Sequence, residues 1–404
     1  LNRKALLATL ICVLLIAYAS LFPLSGWRLP GSGFLAWCTL KLPGHVSKSD
    51  LLVNVIAYVP LGYLLFRLFR IDKRPAPLAL PCALVTGSAL SFAMELTQTA
   101  LPDRTPSIVD LGANTLGTCA GALLALIWQR AALPQGALSR WRASFLAAGS
   151  RGELGLAVLL LWLCSQWAPF VPQLDLGGIK NGLKPLWYTA NDLSRLDPMQ
   201  AATYFCYLAA LGVLAQETLR RRALALPLFS LFAALVLCGK IFILGRQLSL
   251  EALAGLFAAV PLLAVAGLLG EKSRRLIGCL LIVTGFALYE LKPGAGGLAG
   301  VFGWVPFQGQ LAHELTGFGS IFEGIWPFAA LSVLFAPGRS KAQAPQWLGA
   351  AALFCLVFAL EWLQLSIPGR SPELTQPLLA LAGYLAPALY LRCAANGART
   401  GAAS

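Results

Sequence analysis

The sequence predicts an all-α, polytopic integral membrane protein of about twelve transmembrane helices, arranged as three parallel four-helix repeats. Three observations carry that expectation. Hydrophobic residues make up 58% of the 404 residues and charged residues only 12%, with a mean hydropathy of +0.72, whereas a soluble domain carries about 25% charge. Apolar runs approaching the roughly twenty residues that a bilayer core requires of a helix recur along the whole chain. One phrase also recurs, as LPDR at 101–104, ILGR at 243–246 and IPGR at 367–370, each time closing one apolar run ahead of the next.

The runs of the first group fall at about 5–22, 51–69, 77–100 and 107–128. Those of the second fall at 154–170, 199–217, 224–243 and 249–269, and those of the third at 276–291, 319–336, 346–366 and 373–391. Several are short or interrupted by Pro, so ten or eleven spans is the alternative count. Each group has the same plan: a first span ending near a Pro, a loop of about 27 residues (23–49, 171–198 or 292–318), a second span, a basic loop and a helical hairpin. An even number of spans per copy gives all copies one orientation, so the repeats are parallel rather than inverted. The expected domains are a complete repeat at 1–130, a cytoplasmic linker at 131–153, diverged repeats at 154–270 and 276–392, and a tail at 393–404. Asn2-Arg3-Lys4, an apolar run and Ala17-Tyr18-Ala19 also resemble a cleaved signal peptide. The equivalent runs at 154–170 and 276–291 are internal, which favours a retained span.

The net charge of +14 is distributed as a topology signal. With the N-terminus inside, twenty of the thirty-one Lys and Arg fall on the inner side, among them Arg67, Arg70, Lys73, Arg74, Arg220, Arg274, Arg275, Arg339 and Lys341. Retained positive charge orients spans, so both termini are expected in the cytoplasm and the protein in a bacterial inner membrane. Charge placed this way argues against nucleic acid as a partner and makes lipid contact the secondary reading. The ten cysteines have no CxxC spacing, and the two histidines, His45 and His313, lie in separate loops. Neither pattern calls for a metal or another cofactor.

The candidate site comes from comparing copies. FAMELTQTALPDRTP at 92–106 and FALEWLQLSIPGRSP at 358–372 share seven of fifteen positions, pairing Glu95 with Glu361, Gln98 with Gln364 and Arg104 with Arg370. Pro102 stops the third span, and Pro106 precedes the fourth where a missing donor costs little. Ser107 to Asp110 has capping-box spacing with Asp in place of Glu. Asp110, Asn114, Gly117 and Gly121 recur on one helical face, and the Gly117/Gly121 pair suits close approach of the antiparallel third and fourth spans. At about 1.5 Å rise per residue, Glu95, Gln98, Asp110 and Asn114 lie at similar depth, with Arg104 at the rim. If the faces meet, they form an outward-facing polar pocket whose guanidinium suits a carboxylate or phosphate. The structural alternative is that Glu95 pairs with Arg104 to fix the turn and Asp110 merely favours a helix N-terminus. The second copy has Leu237 and Lys240 in place of the Glu and Gln, and the third has Gln376 and Ala380 in place of Asp110 and Asn114. The first copy is therefore the expected working site, with Glu361, Gln364 and Arg370 as a secondary one. Glu290, Glu323 and Lys240 are further charges at membrane level, each either paired or a site.

DLLVNVIAYVPLGYLLFRLF at 50–69, followed by FAMELTQTALPDRTPSIVDLGANTLGTCAG at 92–121, resembles a VanZ-like domain. That pattern has an Asn and Pro-Leu-Gly in one helix, then Glu-x-x-Gln, a Pro-x-Arg turn, Ser-x-x-Asp and Asn-x-x-Gly. Asn54, Pro60, Gly62, Glu95, Gln98, Arg104, Ser107, Asp110, Asn114 and Gly117 match it. The resemblance is full over 1–130, partial in the third copy and faint in the second. It implies a bacterial envelope membrane protein, in a family named for teicoplanin resistance, and adds Asn54 to the candidate set. Three functions are then open. The first is binding of an anionic lipid-linked envelope component or an amphiphilic glycopeptide antibiotic. The second is intramembrane hydrolysis or transfer, with Glu95 or Asp110 as base and Arg104 stabilising negative charge. The third is transport or flipping of a lipid.

Overall fold

Every predicted apolar run is helical. A computed structural model describes residues 3–29, 36–38, 48–71, 76–131, 136–147, 149–294, 300–312, 314–335 and 346–401. Its α-helices begin with α1 (Arg3–Leu21), α2 (Lys48–Ile71), α3 (Ala76–Gln98), α4 (Ile108–Ala131) and α5 (Ala137–Phe145). There follow α6 (Ser150–Trp167), α7 (Leu176–Asn191), α8 (Pro198–Thr218), α9 (Ala225–Gly239) and α10 (Leu250–Leu268). The last are α11 (Glu271–Leu291), α12 (Gln308–Ala312), α13 (Glu314–Phe335), α14 (Gln346–Leu363) and α15 (Thr375–Gly401). Among the described residues seven helical segments are long and apolar enough to cross a membrane, and Ala5–Leu21 and Gly319–Phe335 are shorter apolar helices. Among the described residues there are no strands, only three isolated bridges. The chain is an all-α, multi-pass membrane protein.

Three segments predicted as connections contain helices, α12 lying in the loop at 292–318. The loop at 171–198 holds α7, whose N-terminus is capped by Asp175 accepting the Gly178 N–H at 2.8 Å. Leu176, Leu183 and Trp187 share a side of α7 while Lys180 and Lys184 interrupt the apolar run, so an average over the segment conceals its amphipathic pattern. The linker at 131–153 holds α5. His45, His313, Lys73, Arg74, Arg339 and Lys341 lie outside the described residues.

The chain divides into two compact units, Leu1–Trp141 and Arg142–Ser404. In the first, α2 and α4 meet backbone to backbone. A Cβ on Gly117 or Gly121 would strike the carbonyl of Val55 or Val59, and one on Gly62 would strike that of Thr118. The Gly117/Gly121 pair, expected to draw α4 against α3, thus serves α2. The α3-facing stripe of α4 is made of small polar groups instead, with Asn114 donating to Ser91 at 2.9 Å and Thr115 bonded to Ser88 at 3.0 Å. Tyr58, Leu61, Leu65 and Phe66 of α2 fill the core with Ile16, Ala79, Ala83, Ala122 and Ala125.

In the second unit α8 is the central helix, buried continuously from Leu208 to Gln216. A helix apolar on all sides needs neighbours on all sides. Small residues Ala209, Ala210, Gly212 and Ala215 let α6, α9, α10 and α11 approach it. α6 and α11 each pack on α13 as well as on α8. Residues 154–270 and 276–392, predicted as separate repeats, therefore share one core, which includes Val158, Trp162, Leu211, Phe229, Leu256, Ile282, Trp326 and Val333.

Where α8 ends and α11 begins, Glu217 accepts from both Arg274 and Arg275, the latter at 2.9 and 2.8 Å. Glu271 extends the network to Arg275 at 2.5 Å and Arg151 at 3.6 Å. An acid at a helix C-terminus and bases at a helix N-terminus each oppose their own helix dipole. Their mutual pairing removes both penalties and ties α8 to α11.

Candidate functional site

In the first unit each sequence-predicted residue has a partner, and the partners lie in different directions. Ser107 caps α4 by accepting the Val109 N–H at 3.1 Å, but Asp110 does not reach back to the Ser107 N–H. Its side chain is one methylene shorter than the Glu of a capping box, and its Oδ1 accepts from Asn54 of α2 at 2.8 Å. Glu95 of α3 takes the vacant role, accepting the Ser107 N–H at 2.8 Å while only 3% exposed. The box is completed by a neighbouring helix. Gln98 donates to the Ser20 carbonyl at 2.9 Å. Arg104 donates to the carbonyls of Phe22 at 2.8 Å and Ala19 at 3.1 Å, which close α1. The last carbonyls of a helix have no intrahelical donor, and a guanidinium fork suits them. Glu95 thus fixes the hairpin through backbone rather than through Arg104, and the six residues Asn54, Glu95, Gln98, Arg104, Asp110 and Asn114 staple four helices together.

The same contacts recur at the other phrases. Arg246 Nε donates to the Ala168 carbonyl at 2.5 Å and Arg370 Nε to that of Lys292 at 2.7 Å. Glu361 accepts the Glu373 N–H at 2.8 Å, again twelve residues on. The position of Gln98 has changed chemistry, however. Lys240 there reaches the Gln166 side chain, and Gln364 donates to the carboxylate of Glu290.

Lys240 borders a cavity of about 670 Å³ in the second unit. Trp162 and Gln166 of α6, Tyr204 and Tyr207 of α8, Tyr289 of α11 with Lys292 just beyond its end, and Glu323 and Trp326 of α13 line it, with Lys240, Arg246 and Arg370 from the two hairpins. Four cations therefore face one carboxylate, and Glu323 is already paired with Arg246 at 3.3 Å. Lys292 is paired with Asp197 at 2.7 Å and donates to Gln200 at 2.7 Å. Lys240, 7% exposed, hydrogen-bonds to neutral groups, Gln166 Oε1 and the Tyr204 hydroxyl, both at 3.3 Å, and feels the Glu323 carboxylate at longer range. Among the described residues no carboxylate lies within ion-pair distance of it. Tyr207 and Trp326 meet edge to face with ring centroids 4.8 Å apart and form an aromatic wall.

Residues 6–129 match the VanZ/LLP1 family model. The VanZ-like segment lies wholly within the first unit, so the cavity is in the part of the chain that the VanZ/LLP1 match does not cover. No curated protein and no solved structure matches the chain.

Reading by agreement between copies led to the VanZ-like residues and, apart from Arg246 and Arg370, away from the cavity, because Lys240 and Glu323 in its lining have no charged counterpart in the first copy. The signal that pointed to it was the exchange of Gln for Lys at 240. Gln166, Tyr204 and Tyr207 carried no signal, since aromatic and amide residues in a span read as ordinary packing.

The Asp197–Lys292 pair beside the cavity gives a pH signature. Burial pushes the Asp197 carboxyl up, but the Lys292 ammonium and the N–H groups of Gln200 and Met199 outweigh it and hold the carboxyl below its usual range. A carboxyl depressed on folding contributes stability that is full above its unfolded value of about 3.9 and is lost as pH falls through the folded value. In thermal unfolding, wild type is expected to exceed Asp197→Asn by under about 1 kcal/mol near neutral pH, because the pair is partly exposed. That difference disappears as the pH drops below the carboxylate range. A gap that persists in strong acid contradicts the pairing.

Proposed function

We propose that this protein binds an anionic, lipid-linked component of the bacterial envelope, with the cavity of the second unit as its outward-facing site. Lys240 supports the reading most directly: a buried ammonium whose hydrogen bonds go to neutral groups, which shares the one lining carboxylate, Glu323, with Arg246, and which opens on a space large enough for a ligand. Such a charge costs several kcal/mol unless an anion reaches it. The aromatic walls suit the apolar portion of an amphiphile. A volume of about 670 Å³ falls in the range of about 300–1,000 Å³ that holds a drug-sized ligand or headgroup, which favours a lipid headgroup over a whole glycopeptide. The VanZ-like residues of the first unit have weaker claims as ligand groups, since Arg104 and Gln98 spend donors on backbone carbonyls.

Native mass spectrometry of the full chain titrated with phosphatidic acid and phosphatidylcholine tests this. Selective retention of phosphatidic acid is expected, weakened about ten- to a hundredfold in Lys240→Met, the value of a hydrogen bond to a charged group. Equal retention of both lipids, or unchanged affinity in Lys240→Met, counts against the reading. Displacement of phosphatidic acid by teicoplanin favours the antibiotic as ligand.

A further inference from the structure

Beside the cavity lie two carboxyls that the binding role leaves unused. Glu290 of α11 and Glu361 of α14 are 3% and 1% exposed. Each has one satisfied oxygen: Glu290 Oε2 accepts from Gln364, and Glu361 Oε2 accepts the Glu373 N–H. The Oε1 of each is buried without a hydrogen-bond partner. Arg370, whose charge reaches both, spends its Nε and one terminal nitrogen on the carbonyls of Lys292 and Tyr289.

Two full negative charges with two orphaned acceptors in the interior of a membrane protein are expensive. Arg370 answers one of the two charges, and a second positive charge is needed to balance the pair. Hard metal ions take six or more oxygen ligands, and among the described residues no group of three or more His, Cys, Asp or Glu is arranged to hold a metal. A proton needs no such shell, only one carboxyl to carry it. We propose that Glu290 and Glu361 hold one proton between them and form a proton-binding site linked to anion binding in the adjacent cavity.

The link runs through Arg370. The groups facing the pair are Arg370 and Glu373 from the α14–α15 turn and Tyr207 from α8. Tyr289 adjoins Glu290 on α11, and Glu323 of α13 acts on both tyrosines. Of these, Arg370 is a cation, and it lines the cavity as well as acting on both carboxyls. An anion entering the cavity cancels part of its field, so anion and proton bind together, and by linkage each favours the other. The proton comes from bulk solvent. This coupling rests on the reading of the cavity as an anion site; the shared proton does not.

Calorimetry of the full chain with decyl sulfonate, whose headgroup stays ionised, in buffers of different ionisation enthalpy counts protons taken up on binding. A net uptake of up to one proton per anion is expected, and Glu290→Gln and Glu361→Gln each abolish it while retaining binding. Sulfonate binding without proton uptake at any pH overturns the coupling and leaves the cavity reading intact. Absence of sulfonate binding overturns both the cavity reading and the coupling. The shared proton is then read separately by infrared spectroscopy of the ligand-free protein. The carbonyl stretch of a protonated carboxyl is expected near neutral pH, lost in either Gln variant, and its absence from wild type overturns the site.

Discussion

Glu217→Ala is expected to destabilise the protein by roughly 3–5 kcal/mol, the cost of breaking a buried ion pair by removing one partner. Arg274 has a fully buried side chain whose Nε and Nη2 both face Glu217, leaving only the Leu269 carbonyl as a further partner. Removing the carboxylate strands that guanidinium in the core. The desolvated charge, rather than the lost contact, is the larger part of the effect. Glu217→Gln keeps an acceptor and should fall between wild type and Glu217→Ala. Glu217→Ala combined with Arg274→Met should recover most of the loss, because a buried pair replaced by apolar groups is often neutral or better. Thermal unfolding in detergent, followed by circular dichroism, measures all three. A double variant no more stable than Glu217→Ala contradicts the account.

Gly121→Val is the second large effect. The added Cβ falls on the Val59 carbonyl of α2, and the reciprocal contact of Gly62 on Thr118 leaves neither helix room to yield. Overpacking costs typically about 1–3 kcal/mol, and a clash with backbone rather than a flexible side chain belongs at the upper end or beyond. Gly112, on the same helix, has nothing within 4 Å of its would-be Cβ. Gly112→Ala is therefore expected to be neutral or slightly stabilising, through the helix propensity of Ala. Hydrogen exchange across α2 and α4 separates the outcomes. Equal protection in both variants contradicts close contact of the two backbones.

The polar residues of the Arg phrase show how far comparison of copies reaches. Glu95 and Glu361, and likewise Arg104, Arg246 and Arg370, recur because each hairpin must meet the same backbone demand: an N–H before the fourth helix and carbonyls at the end of the first. That demand is local enough to be written into spacing. Its partners are not, because Ser20, Phe22 and Ala168 lie about eighty residues away and contribute backbone carbonyls alone. The cavity was less legible still. Lys240 was visible as a charge at membrane depth, but whether a carboxylate met it depended on how α6, α8, α11 and α13 pack.

The sequence by itself determined that the chain is all-α and lies in a membrane, where the helices fall, and which hairpin residues recur. Each of these follows from hydrophobic run length, proline position and helical spacing, which are properties of neighbouring residues. Only the tertiary structure decided that Gly117 and Gly121 serve α2, that the second and third groups of helices share one core, and that four cations gather around a cavity there. Those outcomes depend on which faces of distant helices meet, and a helical face specifies that it must be covered without specifying by what.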